Sequence, residues 1–144
     1  MMTANGSAMG AVRRTALPGS AYALIGQARL VLGEAAASVD IGERFRLAHL
    51  AALRVAAAVL AERGRPAAAR RRLISVWVLI DTVAPEFDDW VRYFAAGAAA
   101  RAAVEAGSLG AVSARDADDQ LRAAGEFLRV VEQSLGLLAP PLAC

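Results

Sequence analysis

The chain has 144 residues, 57% of them hydrophobic, with one cysteine and a formal net charge of +2, a length that suits one domain. Alanine supplies 36 of the residues. The longest stretch free of charge, Pro and Gly is about two helical turns, well short of the ~18 residues a membrane span requires. Cys144 has no partner for an intrachain disulfide, so the composition points to a helical globular domain in a reducing, cytoplasmic setting and away from a disulfide scaffold.

Residues 1–16, rich in Ala, Gly, Ser, Thr and Met, read as a disordered tail before a single domain over residues 17–138, with 139–144 as a C-terminal tail. Arg13-Arg14 imitates a twin-arginine export signal, but Pro18 and Gly19 break the apolar run and no cleavage site precedes Arg29. From Ser20 to Val39 apolar residues recur at helical spacing (Ala21, Leu24, Ile25, Ala28, Val31, Leu32, Ala35). Asp40 with Glu43 predicts a capping box for a second helix, which ends at Gly64-Arg65-Pro66. A third helical stretch begins near Ser75 and breaks at Pro85. A new helix starts there, with Glu86, Asp88 and Asp89 in its first turn, and is predicted to run to Gly107. Gly97 falls inside it and suggests a close helix–helix approach. Ser113 and Asp116 predict the cap of a last helix, whose stripe runs from Ala117 through Leu128 to Leu138 before Pro140-Pro141. No strand alternation and no repeat are visible. The expected fold is all-α, an antiparallel bundle of four to five helices.

Charge is unevenly placed. Residues 1–72 carry a net +7 and residues 73–144 a net −5, and every basic residue is Arg. A basic side of this kind can meet a polyanion or an acidic partner, or neutralise acidic helices within the bundle. One His and one Cys exclude an ordinary zinc site, and without Lys there is no Walker-type phosphate loop. No metal or cofactor is expected. Asp116, Asp118 and Asp119 are explained by capping and the helix dipole.

His49 is the one side chain whose ordinary pKa lies near neutrality. At about 100° per residue it falls about 140° from Arg44, in the middle of an apolar face shared with Phe45, Leu53 and Leu60, with Arg46 as its nearer basic neighbour. Such a His faces the bundle interior or a partner's groove.

The segment Arg44-Phe45-Arg46-Leu47-Ala48-His49, an Arg followed after four residues by a His, resembles the second helix of HEPN proteins. Ser75-Val-Trp-Val-Leu-Ile, Ala84-Pro-Glu-Phe-Asp-Asp-Trp, Tyr93-Phe-Ala-Ala-Gly-Ala-Ala-Ala-Arg101 and Glu126-Phe-Leu-Arg-Val-Val-Glu132 are similar to a small actinobacterial HEPN subfamily. The resemblance covers residues 20–138 and implies a HEPN-like bundle, a homodimer, and association with RNA or nucleotide. Many members are metal-independent endoribonucleases in which an Arg-x4-6-His motif meets its counterpart across a dimer cleft. Carried over, His49 acts on the attacking 2′-hydroxyl, and Arg44 or Arg46 steadies the phosphate. The family's motif usually lies in a late helix with a polar residue after the Arg; here it lies in the second helix and is followed by Phe45.

A second candidate surface is Arg63, Arg65, Arg70, Arg71 and Arg72, five arginines in ten residues able to hold nucleic-acid phosphates. Trp77, Trp90, Tyr93 and Phe94 offer apolar area for a dimer interface. The competing expectation is a non-catalytic helical module that binds a protein partner.

Overall fold

The computed structural model describes residues 17–64 and 75–138. Among them the chain forms α1 (Gly19–Ala37), α2 (Ile41–Arg63), α3 (Val76–Val83), a 3-10 turn (Pro85–Phe87), α4 (Asp88–Ala96), α5 (Ala98–Glu105) and α6 (Ala114–Ser134), with no strand. The result is the expected antiparallel all-α bundle, with α2 at its centre against α1, α3, α5 and α6.

The starts of α2 and α6 follow from local chemistry. The Asp40 carboxylate accepts the Glu43 N–H at 2.8 Å. Ser113 and Asp116 form a complete capping box, with reciprocal bonds of 3.0 and 2.9 Å. At the far end of α6, Gly136 (φ 77°) lets Leu137 N–H return to the Glu132 carbonyl, and the helix stops at Ser134 rather than at Leu138.

The helix expected from Pro85 to Gly107 is divided. It opens with a 3-10 turn, and it breaks at Gly97, whose φ of −82° and ψ of −7° interrupt the α-helical ladder between α4 and α5. The close approach expected at Gly97 lies instead at Gly42, where an added Cβ would stand 3.2 Å from Val104 Cγ1. Gly97 has ordinary room, about 3.5 Å from its neighbours.

The core is built from small residues of α1 and α2 (Ala21, Ala28, Ala48, Ala52, Ala56) and one aromatic cluster on the other side. Phe94 and Phe127 are fully enclosed, their rings 5.6 Å apart, with Trp77 stacked on Phe94 at 5.5 Å. Each such aromatic contributes about 2–3 kcal/mol by leaving water. Trp77 and Phe94 are therefore spent inside the protomer and are not available to an interface, contrary to the sequence expectation. Trp90 is half-buried and Tyr93 exposed. Across the bundle, Arg29 of α1 donates to the nearly buried Glu132 carboxylate of α6 at 2.7 Å.

Candidate functional site around His49

The Arg-x4-His segment lies in the first three turns of α2. The Glu43 side chain, freed from capping, turns to Arg46 and meets it in two parallel bonds of 2.9 and 2.8 Å. The pairing holds the Glu43 carboxyl below its ordinary value and the Arg46 guanidinium above its own. Arg44 donates to the Ser38 carbonyl at 2.8 and 3.1 Å and pairs with Asp118, fastening the α1–α2 turn to α6.

His49 is enclosed completely. Its Nε2 lies 2.9 Å from the Phe94 carbonyl oxygen. A carbonyl only accepts, so Nε2 carries the proton and Nδ1 of the neutral ring does not. Nδ1 has no hydrogen-bond partner. Phe45, Trp77 and Phe94 surround the ring at 6.5, 6.0 and 6.4 Å. Burial pushes the imidazole below its ordinary value, and the Arg101 guanidinium adds to this; the Phe94 bond and Glu105 oppose it. At neutral pH the ring is uncharged.

The bond to Phe94 and the break at Gly97 are one feature. Gly97 N–H turns back to the Phe94 carbonyl at 3.1 Å, and that same oxygen takes the imidazole proton from α2. Around Gly97 stand His49, Phe45 and Gln120, each about 3.5 Å from where a Cβ would be. Gln120 is buried, and its Nε2, like Arg101 Nε, has no partner. Neither residue was singled out in the sequence. Gln120 was findable, since it falls between Ala117 and Ala124 on the apolar stripe of α6.

The sequence-predicted residues are thus not gathered into one site. His49 bonds to main chain in the core, while Arg44 and Arg46 are engaged with Asp118 and Glu43. Arg63 pairs with Glu86 at 2.6 Å, reaches the Val83 carbonyl at 3.3 Å and lies over the Phe87 ring at 5.7 Å, joining the end of α2 to the 3-10 turn. Arg65, Arg70, Arg71 and Arg72 lie outside the described residues. Among the described residues no group of three His, Cys, Asp or Glu is placed to hold a metal ion, and no helix is long and apolar enough to cross a membrane.

The fold is a helical bundle built on a central Arg- and His-bearing helix, closed by a Pro-broken stretch and a long last helix. The SAV_6107-like HEPN family matches residues 35–132, from the end of α1 to the last turns of α6, and the chain belongs to it. No curated protein and no solved structure matches the chain.

Proposed function

We propose that this chain is a HEPN module that acts by docking a protein partner and does not cleave RNA. One observation carries the reading: the only imidazole is sealed in the aromatic core with its Nε2 proton committed to the Phe94 carbonyl. A general base must come within about 3 Å of the hydroxyl it deprotonates, and no 2′-hydroxyl reaches this ring without opening the core. The two candidate phosphate ligands stand in part-exposed ion pairs, Arg44 with Asp118 and Arg46 with Glu43.

The test is a labelled single-stranded RNA incubated with the purified chain in EDTA. No cleavage above buffer is expected. Cleavage by the wild type that His49→Gln reduces by ~10²-fold or more would overturn the reading, because that loss is the signature of an acid–base imidazole.

A second reading, RNA association without cleavage, is favoured by the five arginines in ten residues from Arg63 to Arg72. On this reading Arg70, Arg71 and Arg72 hold phosphates. Replacing them with Ala flattens the log–log salt dependence of binding by up to ~2–3, at under one unit per phosphate contact. In either reading the chain works as a homodimer, supported by family membership and by Tyr22 and Leu30 on the outer side of α1.

A further inference from the structure

A groove of about 540 Å³ runs between α4 and α6, walled by Trp90 and Tyr93 and rimmed by Asp89, Asp119, Arg122 and Glu126. It continues along α6 into a furrow of about 1010 Å³ that shares Trp90, Arg122 and Glu126 and adds the apolar side chains of Leu32 and Leu128. Its aromatic walls are fixed from behind. Trp90 stacks on Phe127 at 5.8 Å and on Phe94 at 6.5 Å, and Tyr93 meets Phe94 edge-on at 5.2 Å while remaining 41% exposed. Rings held in this way offer contact area with little conformational entropy left to lose on binding.

The electrostatics of the groove select the ligand. Three carboxylates face one guanidinium. Arg122 is engaged with Asp119 at 3.0 Å and Asp89 with Arg92 at 2.6 Å, while Glu126 makes no ion pair among the described residues. Burial, together with the Asp119 and Asp116 carboxylates, pushes the Tyr93 phenol up against the opposing effect of Arg122. With Asp89 and Asp119 already paired, the Glu126 carboxylate beside the exposed Tyr93 ring is the charge left to a ligand, and it disfavours phosphate and favours a cation at the aromatic face.

We propose that this groove docks an arginine-bearing segment of a partner protein, with a guanidinium over the Tyr93 and Trp90 rings and paired with Glu126. Arginine fits better than lysine, since its planar, weakly hydrated guanidinium stacks on an aromatic ring and pairs with a carboxylate together. The apolar furrow takes the neighbouring aliphatic side chains of the same segment. The inference rests on the protein-docking reading and supplies its surface and its partner chemistry.

Fluorescence anisotropy tests it, using the intact chain and a short labelled peptide of repeating arginine, leucine and alanine. Binding should saturate and be about tenfold tighter than for the same peptide with glutamine in place of arginine. Tyr93→Leu and Glu126→Gln lie on exposed positions and should each weaken binding about threefold to tenfold while unfolding stays cooperative. Equal binding of the two peptides, or unchanged binding by both variants, overturns the proposal. Direct binding of labelled single-stranded RNA that Tyr93→Leu weakens assigns the groove to nucleic acid and overturns it as well. Self-association that Tyr93→Leu abolishes assigns the groove to a second copy, with the same consequence. RNA cleavage in EDTA would refute the non-catalytic reading and leave these peptide measurements standing, so the two failures are distinguishable.

Discussion

Acidification should weaken the fold through His49 across a window that lies above that of the Glu43 and Glu86 carboxylates. In the unfolded chain the imidazole titrates near its ordinary value of about 6.5, whereas burial in the aromatic core holds the folded value lower. As the pH drops through about 6.5, the unfolded chain takes up a proton that the folded chain refuses, and stability falls with it. The stability is complete above the unfolded value, and the loss stops growing once the folded ring itself titrates. One proton sets a limiting slope of ~1.4 kcal/mol per pH unit, so the loss between pH 7.5 and 5.0 is bounded at about 2 kcal/mol. Glu43 and Glu86 are held below the ordinary carboxylate value by Arg46 and Arg63. Their contribution is present above about pH 4.5 and disappears only as the pH falls below it, which keeps the two windows apart. Urea unfolding at intervals between pH 7.5 and 5.0, on the wild type and His49→Gln, reads the effect. The Gln variant keeps an N–H donor and cannot titrate, so its stability should be nearly flat. The same slope in both proteins, or a folded-state NMR titration of His49 near 6.5, would refute the reasoning.

Two further substitutions test the packing. Gly97→Ala should raise the melting temperature, gaining about 0.4–1 kcal/mol by restricting the unfolded chain, because the native φ of −82° suits Ala and its Cβ meets only ordinary contacts. Gly42→Leu should lower the melting temperature by an amount equivalent to about 1–3 kcal/mol, because even a Cβ there stands 3.2 Å from Val104. Arg29→Met should cost about 1–3 kcal/mol in urea unfolding by stranding the nearly buried Glu132 carboxylate. The double variant with Glu132→Leu should recover most of that loss.

Much of this architecture is written locally. Helix periodicity, the Asp40 and Ser113 caps, the Pro85 break and the Gly64 stop depend on residues within one turn of each other, and the structure repeats them. The wheel position of His49 likewise predicts a ring that faces inward, and the ring is buried. The break at Gly97 was not legible as a break. The Phe94 carbonyl at the break also accepts from an imidazole 45 residues away, a contact that appears only when α2 and α4 are brought together. The sequence shows a lone His on an apolar face and a lone Gly inside a helix as separate anomalies, and tertiary packing makes them one. The partners of Arg44 and Arg46 show the same divide. Glu43 lies three residues from Arg46 and was visible; Asp118 lies 74 residues from Arg44 and was not. An Arg-x4-His spacing describes a helix surface before any other helix covers it.

The division at Gly97 also makes the stability of the bundle uneven. α5 contributes no buried residue to the core, and its contact with α2 runs through half-buried side chains such as Val104. A helix of this kind opens at low free-energy cost, so the amides of Ala98–Glu105 exchange with solvent through local excursions, while those in the middle of α2 wait for global unfolding. The Phe94 carbonyl keeps its imidazole on the near side of the break, while Arg101 and Glu105 act on that ring from beyond it.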